Sequence, residues 1–205
     1  MAETTKIVQK ITPYKYAARI HKRTGKPFRY RRYRSFKKSL IAEFGLQCVY
    51  CRSPLILGWR DSAAVEHYLP RKDFPHLETE YSNLFLSCSR CNSLKGSYWS
   101  KDERRRVLNP CDDRMSEHLK FLGAEVGGLT SSGRFHTNLL RLNDDDRTRD
   151  RDMILGAISA GVSVLLAIKR KKNKTPECQS DVANTISFLS QYTLVDELKL
   201  RRLLT

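Results

Sequence analysis

Two Cys-x-x-Cys pairs constrain this chain more than any other feature. Cys48 and Cys51 enclose "VY", Cys88 and Cys91 enclose "SR", and 36 residues separate the two pairs. Each pair is flanked by turn-forming residues and can aim two thiolates at one point, so the four suit a tetrahedral ion. A soft, all-sulfur set selects zinc, with iron as the alternative in the same geometry. No coordination position is left open, so such a site contributes folding free energy rather than chemistry. The chain between the pairs becomes a closed loop, with its contents held near the metal. Cys111 and Cys178 lie outside the pattern and read as small buried hydrophobes.

The middle of that loop reads "VEHYLPRK", which sets Glu66 and His67 side by side ahead of Pro70 and two cations, while Asn92 directly follows the last cysteine. Cleaving a phosphodiester requires an activated water and charge compensation on the phosphoryl oxygens and the departing alkoxide. A neutral imidazole can take the proton, and a hard divalent ion can meet the other needs. Glu66 and Asn92 offer oxygens of the kind Mg2+ accepts while keeping most of its waters, and His67 is the candidate base. The bland alternatives are a surface turn for the octet, a helix cap for Asn92 and a turn cap for Asn83 in "YSNLF".

The charge points to a polyanionic partner. The sequence holds 38 Lys and Arg against 22 Asp and Glu, a formal +16. Residues 1–40 carry thirteen of those cations and a single acid, Glu3, which is +12 of the total. Tyr14, Tyr16, Phe28, Tyr30, Tyr33 and Phe36 are interleaved with them, and aromatics can stack on bases or pack on a core while cations meet phosphates. Arg29, Arg31, Arg32 and Arg34 are the candidates here, against a solvated tail or a protein-docking segment. Near the octet, Arg71, Lys72, Arg90 and Lys95 are candidates for phosphates flanking the scissile bond.

Periodicity predicts a helix over 36–46 stopped at Gly45, a strand in "SAAVEHYLP" and a helix starting near Cys88 to Asn92. A turn is expected at 24–27. The glycines and alternation of "FLGAEVGGLTSSGRFHTNLLRLN" predict a small hairpin. Two helices are expected over about 148–172 and 180–203, joined by "KNKTPECQS", with Asp144, Asp145 and Asp146 at the start of the first. Met153 to Ile168 is apolar, yet its sixteen residues fall short of the roughly 20 that span a bilayer, so a buried helix and no membrane are expected. No signal-type apolar stretch follows Met1, which implies a reducing cytoplasm. The expected division is a basic arm with its leading helix over 1–45, a zinc-stabilised core over 46–110, and a hairpin followed by mostly helical chain over 111–205.

The motifs "CVYC", "VEHYLP", "YSNLFLSCSRCN" and "LK" resemble the HNH endonuclease family in its zinc-bearing form. That resemblance implies an α+β fold with a small ββα-metal core around a structural zinc. It makes His67, Asn83 and Asn92 the signature positions. His67 is then the general base, Glu66 and Asn92 the ligands of a catalytic Mg2+ or Mn2+, and Asn83 a structural amide bracing the loop that carries His67. Many members have Asp where this chain has Glu66. The products would be 5′-phosphate and 3′-hydroxyl ends. Across about residues 46–155, "EHYLPRKDFPHLETEYSNLFLSCSRCNSLK", "VLNPCDD", "HLKF" and "LLRLNDDDRTRDRD" resemble bacterial HNH nucleases of Septu-type anti-phage systems. These imply double-stranded DNA as substrate and an SMC-like or ABC-like ATPase as partner. The rivals are a zinc-dependent nucleic-acid binding module that cuts nothing, and an HNH nuclease acting on RNA or tRNA.

Overall fold

The 36 residues between the cysteine pairs are long enough to reverse direction and return, and the chain uses them to build a two-stranded ribbon. In the computed structural model, which describes residues 2–25, 27–55, 62–170 and 175–204, the elements run as follows. Helix α1 spans Ala2–Ile11 and α2 Lys37–Phe44; strand β1 covers Ala63–His67 and β2 Leu84–Cys88; helix α3 is Ser89–Lys95. Then come α4 (Met115–His118), β3 (Leu119–Leu122), β4 (Glu125–Gly128), α5 (Ser131–Leu139), α6 (Asp145–Arg170), α7 (Pro176–Thr193) and α8 (Glu197–Leu204). Two compact units result, Tyr14–Thr148 and, separately, Met1–Pro13 with Arg149–Thr205. The boundaries expected at 45/46 and 110/111 mark changes in sequence character rather than the edges of these units.

In the unit of residues 14–148, β1 and β2 pair antiparallel, with Val65 opposite Leu86, Glu66 opposite Phe85 and His67 opposite Leu84. All five residues of β2 are buried, as the apolar run "LFL" requires when both faces of a ribbon are covered. The chain passes from β2 into α3 at Cys88, whose Sγ accepts from the Cys91 amide at 3.3 Å in the manner of an N-cap, and Gly96 at φ 52° stops the helix. Strand, strand and helix form the ββα core. The first cysteine pair docks on it through Val49 N donating to Leu86 O at 3.0 Å. Phe36, Leu40, Tyr50, Leu84, Phe85, Leu86 and Leu108 belong to one apolar core.

Tertiary contacts redraw the basic segment. Arg23 lies under the rings of Phe44, Tyr81 and Phe85 at 4.6–5.0 Å and donates to Ser82 O and Leu84 O. Glu43 accepts from Tyr81 at 2.5 Å and pairs with His21. Tyr14 and Phe36 are buried and Tyr16 donates to Tyr50 O at 3.0 Å, so from Tyr14 onward these aromatics are structural, and the segment is part of the core unit rather than a loose arm. Phe28, at 80% exposure, and Tyr30, at 38%, are the exceptions. The turn expected at 24–27 includes Lys26, outside the described residues.

The hairpin appears as β3 and β4, but it ends at Gly128, and the rest of the expected hairpin segment is the helix α5. Thr130 is its cap, accepting from Gly133 N at 3.1 Å. A Cβ on Gly133 would stand 2.1 Å from His118 O and one on Gly128 2.4 Å from Arg134 N, so these two glycines serve close packing, while Gly123 at φ 63° makes the hairpin turn.

In the second unit, α6 buries Ile154, Ile158, Val162, Leu165, Leu166 and Ile168, a helical stripe. Gly161 lets α7 approach, since a Cβ there would stand 3.0 Å from the Leu189 side chain. By length and composition α6 is the one helix among the described residues that could cross a membrane. The segment expected as one helix over 180–203 is two. Thr175 caps α7 so that it starts at Pro176 inside the expected linker, and Leu194 turns left-handed at φ 57°, ending it. Asp196 then caps α8 by accepting from Leu198 N at 2.9 Å. Lys171 to Lys174, part of the expected linker and basic cluster, lie outside the described residues.

Candidate active site and metal centre

The four sulfurs of Cys48, Cys51, Cys88 and Cys91 lie within 4.8 Å of one another, and all four residues are buried. Tetrahedral ligands about 2.3 Å from an ion stand about 3.8 Å apart. The Sγ atoms of Cys51 and Cys88 are separated by 3.8 Å. Spacing, donor type and burial therefore fit zinc. The first knuckle closes with Cys48 N on Ser53 O at 3.0 Å and Arg52 in the left-handed region at φ 60°.

One member of this centre has no local signal in the sequence. Arg147, on the first turn of α6, is buried, and its Nη2 donates to Cys91 Sγ at 3.3 Å and Cys88 Sγ at 3.8 Å while Nη1 donates to Leu140 O at 3.2 Å. Burial opposes its charge, but the surrounding thiolates outweigh this and hold the guanidinium pKa above its usual value. Four thiolates around a divalent ion carry a net −2, which a buried cation offsets.

Glu66 and His67 end β1 and, with Asn92 of α3, line a cleft of about 270 Å³ together with Tyr33, Pro70 and Arg71. The sequence places His67 and Asn92 25 residues apart, and the ββα turn brings them to one cavity. The Nε2 of His67 lies 2.9 Å from Glu78 O. A carbonyl only accepts, so Nε2 carries the proton and Nδ1 keeps its lone pair. Burial, aided by Arg71 and Lys95, lowers the pKa of His67 below its ordinary value near 6.5, so the ring is neutral at pH 7. Asn83 secures the following loop, with Oδ1 accepting from Leu69 N at 2.8 Å and Nδ2 donating to Leu69 O at 3.0 Å and Leu77 O at 3.3 Å.

Glu66 is 1% exposed and Lys95 2%. Lys95 Nζ stands 2.6 Å from Glu66 Oε1 and donates to His67 O at 2.8 Å. Tyr50 OH donates to the same carboxylate oxygen at 3.4 Å. Burial raises the Glu66 pKa to about 7, against the pull of Lys95. Glu66 and Asn92 both line the cleft and offer oxygens that suit a hard divalent ion, but the Glu66 side chain is 2% exposed and held by Lys95, so an ion there would share that carboxylate with the ammonium.

The expected phosphate contacts divide. Lys95 does not reach the surface, because the buried Glu66 carboxylate claims its charge. Arg90 is turned away as well: it pairs with Asp144 at 2.8 Å and with Asp146, so the acidic run is both the start of α6 and an anchor for α3. Lys72, Arg29, Arg31, Arg32 and Arg34 are exposed. Arg71 is half exposed and pairs with Glu78 at 3.1 Å. Its guanidinium lies 5.0 Å from the Tyr33 ring, which stands edge-on to His67 at 4.6 Å.

Residues 48–97 match the family described as HNH endonuclease, and the strand, strand and helix of this segment, with its four clustered cysteines, are compatible with a ββα-metal core in an α+β fold. Among curated proteins, the chain is similar to the Septu protein PtuB of Bacillus thuringiensis, 33% identical over 132 residues, which is 64% of this chain and 48% of that protein. It is also similar to the Septu protein PtuB of Bacillus mycoides (strain KBAB4), 26% identical over 210 residues, covering 83% of this chain and 70% of the relative. The chain thus spans about half the length of the first of these relatives. No solved structure gives a significant match.

Proposed function

We propose that the chain is a metal-dependent HNH endonuclease that hydrolyses phosphodiester bonds of double-stranded DNA, leaving 5′-phosphate and 3′-hydroxyl ends. It acts in the cytoplasm as the effector nuclease of a bacterial anti-phage system, beside an ATPase of SMC or ABC type. The observation that carries the nuclease reading is His67, held by Glu78 O with its Nδ1 lone pair free, in one cleft with Glu66 and Asn92. The defence role and the ATPase partner rest on the similarity to Septu proteins.

His67 Nδ1 takes the proton of the attacking water, and the Glu78 carbonyl keeps the tautomer that leaves this atom basic. Glu66 and Asn92 are the residues that would hold Mg2+ or Mn2+, and the ion would supply charge compensation for the phosphoryl and leaving oxygens. Lys95 and Tyr50 fix the Glu66 carboxylate, and Asn83 braces the loop behind His67. Arg71, Lys72, Arg29, Arg31, Arg32 and Arg34 neutralise backbone phosphates, in keeping with the net +16. Structural zinc on the four cysteines stabilises the core.

The test is incubation of the zinc-loaded protein with supercoiled plasmid and with tRNA, with Mg2+ or Mn2+ and with EDTA, beside His67→Ala. Cleavage of plasmid is expected only with the divalent ion, and His67→Ala abolishes it while keeping zinc and duplex binding. Because the base works when neutral, the rate should hold through neutral pH and fall only as pH drops below the ordinary imidazole range. Nicking by His67→Ala at the parental rate refutes the base assignment. Binding without cleavage under every metal condition gives the binding-module reading instead, and cleavage of tRNA alone gives an RNA substrate.

A further inference from the structure

Beside the cleft, and sharing Tyr33 and Arg71 with it, lies a second pocket of about 640 Å³. Arg31, Arg32, Arg34 and Arg71 line it, and its single acid is Glu78. Arg31 and Arg32 are exposed and have no carboxylate partner among the described residues. Arg34 spends one donor on Tyr33 OH at 3.3 Å. Arg71 lies against the Tyr33 ring, and its one carboxylate partner among the described residues is Glu78, at 3.1 Å, with both side chains about half exposed (51% and 45%).

A half-exposed ion pair of this kind is weak, whereas a guanidinium takes a phosphate through two parallel charge-assisted hydrogen bonds. Four guanidinium groups around one carboxylate also leave the pocket strongly positive. Glu78 has a second task, because its main-chain oxygen holds His67 Nε2. Its carboxylate, in contrast, makes no hydrogen bond to the base, acts on it only by drawing its pKa upward against the effect of burial, and sits where an anion is wanted.

We propose that this pocket binds a backbone phosphate of the nucleic acid adjacent to the scissile bond, and that the Glu78 carboxylate occupies Arg71 in its place until the strand arrives. The proposal rests on the nuclease reading above. It makes Glu78 an internal competitor of the substrate. Removing that charge strengthens binding, and the gain runs through Arg71.

The experiment uses the full chain carrying His67→Ala, so that nothing is cut, and follows a fluorescein-labelled DNA duplex by anisotropy at several salt concentrations. Glu78→Gln should tighten binding about fivefold. Arg71→Gln should weaken it and lower the salt slope by about one. In the Arg71→Gln background the effect of Glu78→Gln should shrink to less than about twofold. Inorganic phosphate should displace the duplex better than chloride at matched ionic strength, and that advantage should be lost in Arg71→Gln. Unchanged affinity in Glu78→Gln, an equal gain without Arg71, or no advantage of inorganic phosphate over chloride overturns the pocket while the nuclease reading stands. A parent protein that binds neither duplex nor single strand overturns both.

Discussion

Replacing Lys95 by Met keeps an unbranched side chain of similar length but removes the cation that faces Glu66. In the parent protein Nζ lies 2.6 Å from Glu66 Oε1 and 2.8 Å from His67 O, with both residues almost fully buried. Removing one partner of a buried pair costs about 3–5 kcal/mol, because the other charge is left uncompensated. The cost should depend on pH. Burial already puts Glu66 at about 7, and Lys95 is the strongest influence opposing that rise. Without Lys95 the folded pKa climbs further, while the unfolded value stays near 4.5. A carboxyl with a raised folded pKa binds its proton more tightly in the folded state. Its stabilising contribution is fully present below the unfolded pKa and is lost as pH rises through the folded one. The deficit of Lys95→Met relative to the parent is therefore small at pH 5.5, where Glu66 is neutral in both, and opens above about pH 7. Both tryptophans of the sequence fall within residues 14–148, so fluorescence-monitored urea melts report on this unit. One proton is at stake, so the deficit grows by no more than about 1.4 kcal/mol per pH unit above the parent pKa and reaches about 2 kcal/mol at pH 8.5, which at a slope of about 2 kcal/mol per M moves the midpoint by roughly 1 M. Adding Glu66→Gln to the variant should recover most of it. Equal midpoint shifts at both pH values would refute the reasoning, since lost packing has no such pH dependence.

Two further substitutions address the groups that hold the site in place. Arg147→Met removes the cation against Cys91 and Cys88, and zinc transfer to a chromogenic chelator should speed up about tenfold; an unchanged rate means the guanidinium does not stabilise the centre. Asn83→Ala removes the partner of the Leu69 amide and of the carbonyls of Leu69 and Leu77, three part-buried hydrogen bonds worth about 0.5–1.5 kcal/mol each. Plasmid cleavage should fall with little change in duplex affinity, and parental stability in the same urea melts would show that the amide braces nothing.

The ββα core was readable because each of its signals is local. Two knuckles, a period-two run ending at His67, and a helix opening at the last cysteine pair all survive in the structure. Helix ends were less legible where a cap competed with composition. Thr130 and Thr175 start helices inside segments whose glycines or polar residues suggested a hairpin and a linker, and Leu194 breaks a helix with no glycine or proline to announce it. The cations were least legible. Lys95, Arg90, Arg23 and Arg147 look alike in sequence, yet each is committed to partners that lie 20 to 61 residues away.

The sequence by itself determined which residues can bind a soft ion, which can take a proton, and where strand gives way to helix, because ligand chemistry and backbone periodicity act over a few residues. Only the tertiary structure decided which charges remain free to meet a phosphate. That outcome is set by which carboxylate, ring or thiolate the fold places within about 3–5 Å of each cation, and by how far burial strengthens the pairing.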